Sequence, residues 1–238
     1  MRFKIFMLAV SLFAASVPAL PHDGPHAQTA SGAQVADAKP SAPPAWVARS
    51  NQNAQILLAV FARSSPENAS LLGADGFDDQ VADLSAAANE RSKQATAEAI
   101  TELKKRHAAE SEPSVRQDLE ILIKAAEDSI RGTELNDKHV VPYFDLPQLI
   151  FRGLRTLLDD RASEERRRLA LVRLRRYAGM DEGFRPIAEV ATERTRAGLK
   201  NPALAMPSKV EVEKNLANSA FFTSGVGQLF EQYKLEGW

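Results

Sequence analysis

The residues of widest chemical range in this chain are its four histidines, and their placement assembles no site. His22 and His26 lie in a segment rich in Pro, Gly, Ala and Ser, where no fixed geometry is expected. His107 falls on the Ile100 and Leu103 side of a helical pattern, which makes it a core-edge residue. His139 has no second histidine within ligand spacing. A helical zinc peptidase needs His-Glu-x-x-His, which sets two imidazoles on one face beside a carboxylate base; the motif does not occur. There is no cysteine, so thiolate metal sites, disulfides and a cysteine nucleophile are excluded. Neither a Gly-x-Ser-x-Gly elbow nor a glycine-rich phosphate loop is present. The sequence therefore yields no catalytic, cofactor-binding or metal-binding residue.

Charge offers two further clusters. Asp75, Asp78, Asp79 and Asp83 invite calcium, but they lack the alternating ligand ladder with its turn glycine and terminal Glu, so a solvated loop is the expectation. Arg166, Arg167, Arg168, Arg173, Arg175 and Arg176 scatter around a helix when placed at 100° per residue, and Leu171 with Leu174 and Leu169 with Val172 occupy separate faces. That pattern predicts a sandwiched helix whose arginines pair with carboxylates. With 30 basic against 31 acidic residues, the chain has no surplus charge for nucleic acid or an anionic membrane. One loop stands out: Val141 to Pro147 holds Tyr143 and Phe144 between prolines. There Tyr143 with Arg152 or Arg155 could line a substrate groove, against the simpler role of aromatics stapling a helix start.

The elements that must position these residues are helices, and the expected fold is an all-α antiparallel multi-helix bundle. Apolar periodicity predicts helices over Trp46 to Ala62, Ala86 to Ala109 and Pro113 to Ile130, the last fraying at Gly132. Pro66 to Asp83 is a connecting segment with turns at Gly73 and Gly76. Asp145 with Gln148 forms a capping box, and Phe144 with Leu149 a hydrophobic staple, for a fourth helix. Ser163 to Ala178 and Pro186 to Gly198 follow. Ser208 with Glu211 caps a seventh helix ending near Asn218, and a short eighth covers Ser224 to Tyr233.

Ahead of the bundle, Arg2 and Lys4 precede an apolar run from Ile5 to Ala15, and Val17-Pro18-Ala19 offers small residues for cleavage after Ala19. Residues 1–19 read as a signal peptide too short to span a membrane, so no anchor remains after cleavage and the product is expected in the periplasm or secreted. Residues 20–44 form a disordered Ala/Pro-rich leader, and 45–238 the helical domain. A mature start at Leu20-Pro21-His22 would look like an amino-terminal copper site, but Pro21 lacks the amide nitrogen such a site must deprotonate.

Several stretches carry a family resemblance: Pro44-Ala45-Trp46-Val47-Ala48-Arg49-Ser50-Asn51, Arg116 to Leu122, Pro142 to Asp160, Leu171 to Gly179, and Glu211-Val212-Glu213-Lys214. Together they resemble the N-terminal part of bacterial exported proteins of the domain-of-unknown-function 885 family. That family is similar to zinc-dependent metallopeptidases, with its metal residues in a downstream His-Glu segment followed by Pro-Gly-His-His. None of those residues has a counterpart here. The resemblance thus implies the helical N-terminal region of an exported peptidase-like protein, without activity of its own, with zinc expected only in a full-length member. The implied partners are a peptide or a missing C-terminal half. A self-sufficient periplasmic binding module with a groove at Tyr143 and Arg152 is the other expectation. Burial of Phe221, Phe222, Leu229 and Phe230 distinguishes the two, since a missing half would leave an apolar patch exposed there.

Overall fold

A computed structural model describes residues 44–237. The expected signal peptide, its cleavage after Ala19 and all but the last residue of the leader lie outside the described residues. The chain folds as helices α1 (Ala45–Ser64), α2 (Pro66–Ala69), α3 (Ala88–Ala109), α4 (Pro113–His139), α5 (Leu146–Arg155), α6 (Glu164–Tyr177), α7 (Ile187–Leu199) and α8 (Lys209–Gln232). A 3-10 turn, Ser70–Leu72, follows α2. The described residues form no strand; one isolated parallel bridge joins Val140 to Ala205. None of the described helices is long and apolar enough to cross a membrane.

Capping chemistry sets several starts. Asp145 Oδ1 accepts from Gln148 N at 3.2 Å, Ser163 Oγ from Arg166 N at 3.3 Å, and Ser208 Oγ from Glu211 N at 3.1 Å, each satisfying a donor that the first helical turn cannot. Phe144 and Leu149 pack into one cluster, as a staple requires. Two boundaries differ from the sequence expectation. Helix α4 does not end at Gly132 but continues to His139, because one exposed-helix glycine costs only about 1 kcal/mol and nothing there interrupts the hydrogen-bond ladder. The seventh and eighth predicted helices are one, α8. Between them the hydroxyls of Ser219, Thr223 and Ser224 bond back to the carbonyls of Leu216, Ser219 and Phe221, so these residues do not divert the backbone.

Burial gathers in clusters. Leu103, Val115 and Leu119 join α3 to α4, with Trp46, Ile56 and Leu57 of α1 packed against them. A larger cluster combines Leu154, Leu157 and Leu158 at the end of α5 with Ala170 and Tyr177 of α6, Ile187 and Ala191 of α7, and Phe230 of α8. Helices α5 and α8 approach closely because Gly225 has no side chain: a Cβ there would lie 2.7 Å from the Phe151 ring.

Candidate functional site

The buried polar residues converge where α2, α5 and α6 meet. Glu67 in the first turn of α2 and Arg173 and Tyr177, one turn apart on α6, are all buried. Tyr177 donates its hydroxyl to Glu67 Oε1 at 2.8 Å, and the same oxygen accepts from Ala82 N at 2.9 Å. Arg173 is only 1% exposed; Nη1 donates to Gly153 O at 2.8 Å, and Nη2 to Phe77 O at 2.7 Å and Pro66 O at 3.3 Å. Burial pulls the Arg173 guanidinium below its usual value, while Tyr177, Glu67, Asp78 and Asp79 pull the other way. Burial also pushes the Tyr177 hydroxyl far above its ordinary value, with Glu67 adding to the shift, so Tyr177 stays a donor. Gly153 makes room: a Cβ there would collide with the Tyr177 hydroxyl and come within 2.8 Å of Glu67 Cγ. Apart from Arg173 Nε, which is buried without a partner, the cluster is hydrogen-bonded, and most of its bonds hold backbone.

What it positions is the segment from Phe77 to Ser85. Arg173 holds the Phe77 carbonyl, and Arg166 clamps Asp78 through two bonds of 2.6 and 3.0 Å. Arg176 donates to the Asp79 carbonyl and carboxylate at 2.7 Å each, Glu67 holds Ala82 N, and Arg194 of α7 reaches Ser85 O at 3.2 Å. Asp83 pairs with Arg91 and accepts from Ser85 N. The expected solvated acidic loop is therefore corrected: Asp78, Asp79 and Asp83 are ion-paired, because α6 and α3 present arginines to them. Four arginines of α6, Arg166, Arg168, Arg175 and Arg176, pair with carboxylates as the pattern implied, whereas Arg167 and Arg173 donate to backbone carbonyls. Across from this strapped segment lie Phe184, Ile187 and Val190, and the space between is a groove of about 330 Å³. Sequence reasoning missed it, since its walls are a hundred residues apart along the chain; the matched aspartates and arginines were the available signal.

The residues singled out from sequence stand elsewhere. Tyr143 is half-buried and accepts from Asn215 Nδ2 at 3.3 Å, while Arg152 and Arg155 are exposed on α5. No hydrogen bond joins Tyr143 to either arginine among the described residues. His107 Nε2 lies 2.9 Å from Glu120 Oε1 at the edge of the core, and His139 is exposed, its carbonyl accepting from Ala205 N. Among the described residues no three His, Asp or Glu side chains come together to hold a metal, so their donor set does not fit zinc. Along α8, Phe230 is fully buried and Phe222 and Leu229 are half-buried, but Phe221 is 65% exposed. Three of the four residues that distinguish the two expectations are thus buried or half-buried, and the expected exposed patch is reduced to Phe221, whose ring packs edge-on against Phe222. Nearer the start of α8, Val210 and Leu216 are 75% and 72% exposed on different sides of the helix.

No curated protein and no solved structure matches the chain. The family model described as "Bacterial protein of unknown function (DUF885)" matches residues 66–235, from the helix that carries Glu67 through the end of α8, and the chain belongs to that family.

Proposed function

We propose that this chain is the N-terminal helical region of an exported peptidase-like protein, that it turns over no substrate by itself, and that its partner is a peptide or a downstream half bearing the metal. The observations supporting this reading are the family match over residues 66–235 and the first half of α8, where Val210, Val212 and Leu216 stand exposed on several sides of the helix. A helix with large apolar residues exposed on several sides carries more apolar surface than this unit itself covers. In this reading zinc belongs to the downstream half, and the described residues bring together no three His, Asp or Glu side chains that could hold it. The genomic DNA beyond the codon for Trp238 tests the reading: an in-frame continuation with the His-Glu and Pro-Gly-His-His residues supports it, and unrelated sequence removes it. Zinc-dependent peptide turnover by the purified chain would overturn the non-catalytic part. Export is tested separately by the N-terminus of the mature protein, expected to begin at Leu20 in an exported fraction.

A further inference from the structure

We propose that the described chain is a hinged pair of helical bodies, α1, α3 and α4 forming one and α2 with α5 to α8 the other, which open and close at an alanine-lined junction. The first body has a core of its own: Leu103, Val115 and Leu119 of α3 and α4 close against Trp46, Ile56 and Leu57 of α1. Its polar contacts also stay inside it, Arg106 reaching Asn53 at 3.0 Å and Arg116 the carbonyls of His107 and Glu110. The second body has a separate core around Leu154, Leu157, Tyr177 and Phe230, and it holds the segment from Phe77 to Ser85 with its own arginines. Helices α3 and α4 pack along each other and along α1, and along none of α5 to α8.

What joins the bodies is slight. Leu58 and Ala62 of α1 meet Ala69, Ala74 and Phe77 in a small cluster whose buried members are all alanines. A methyl group removes far less apolar surface from water than the leucines that fill the two cores, so parting this junction costs less than opening either body. Among the described residues one ion pair crosses, Arg91 of α3 with Asp83, and Arg91 also reaches Ser85 Oγ at 2.8 Å. Both partners of the pair are largely in solvent, where such a contact contributes little. The chain itself crosses at three places. Ser65 separates α1 from α2, exposed Ala86 and Ala87 lead into α3, and residues 134–140 at the end of α4 are all exposed. A helical end with no buried side chain belongs to neither core and yields first. Just beyond it the chain is pinned: Val141 is buried, its N–H donates to Ala205 O at 3.0 Å, and Ala205 N donates to His139 O at 2.8 Å. The Val140–Ala205 bridge is therefore the pivot, and because Ala205 lies just ahead of Ser208, the cap of α8, movement of the first body is delivered to the exposed start of α8.

The chain has no cysteine, so paired Cys substitutions at exposed positions can carry spin labels without interference. Ala97→Cys with Arg131→Cys lies within the first body, Glu165→Cys with Gln228→Cys within the second, and Ala97→Cys with Gln228→Cys spans the two. Dipolar distances measured in frozen solution should be narrowly distributed for each pair within a body and about twofold broader for the spanning pair, as expected of a population of opened and closed forms. Ala62→Leu, which wedges the junction, should shift the spanning distance and leave both distances within the bodies unchanged. A spanning distribution as narrow as the other two overturns the proposal, as does an Ala62→Leu shift that is absent from the spanning pair or shared by all three. If Ala62→Leu does not fold, the three widths in the otherwise unaltered chain still decide.

Discussion

Arg173 does at the scale of one residue what a small metal site does elsewhere: it ties three distant chain segments to one rigid group. Its planar fork reaches the carbonyls of Gly153, Pro66 and Phe77 from two nitrogens set apart, a spacing that the single nitrogen of a lysine does not reproduce. Replacing it with Leu strands those carbonyls in a dry interior, so Arg173→Leu is expected to lose about 3–5 kcal/mol in urea unfolding. Arg173→Lys should recover only a minor part, and full recovery would show that charge alone suffices. Asp83 sets a pH limit of its own. Burial pushes its carboxyl up, but hydrogen bonds from Ser85 and Arg91 outweigh this and hold it below its ordinary 3.8. A depressed carboxyl contributes stability that is complete above the unfolded value and is lost as pH falls through the folded one. Melting temperatures taken from about pH 5 to about pH 2.5 should therefore fall less steeply in Arg91→Gln than in the parent chain. At this scale the sequence showed that α6 arginines need acceptors. It could not show that Arg173 takes carbonyls, because helical periodicity gives a residue's face and not what lies across from it.

Between helices, the two glycines of α4 and α5 make opposite predictions from one chemical change. Gly132 lies in α4 with nothing within 4 Å of where an added methyl would stand, so Gly132→Ala should stabilise by about 0.5–1 kcal/mol. Gly153 lies where α5 meets Glu67 and Tyr177, so Gly153→Ala should destabilise by about 1–3 kcal/mol through overpacking. Thermal melts of the pair check both signs, and equal shifts would remove the close-approach account. The same contrast explains which elements were legible. Capped starts at Asp145, Ser163 and Ser208 were readable because the cap is local chemistry. The ends at Gly132 and Asn218 were misplaced because a helix continues through a weak position when packing on either side supports it. In α8 that support is Phe222, whose ring lies 5.5 Å from Phe151, together with Phe230 in the core. The groove was invisible for a related reason: it exists only after α6 has gathered the Phe77 to Ser85 segment.

Over the whole molecule, α8 is the element that divides a closed unit from an open one. Its last turns close the core through Phe230 and through the contact of Gly225 with Phe151, whereas its first turns leave Val210 and Leu216 in solvent. From Asn215 to Phe230 the helix carries no charged residue, so the exposed part of that stretch lacks the groups that keep apolar surfaces apart. The two ends should respond differently to mutation. Phe230→Ala is expected to cost about 3–5 kcal/mol, because it empties a fully buried site. Val210→Lys with Leu216→Lys should change unfolding free energy by no more than about 1 kcal/mol, since surface substitutions away from packed features stay within about 0.5 kcal/mol each. The double variant should nonetheless lower concentration-dependent association, measured by light scattering, and should fail to bind a separately expressed downstream half that the parent chain captures. If it instead unfolds like Phe230→Ala, these residues belong to this unit's own core, and the case for a covering partner is lost.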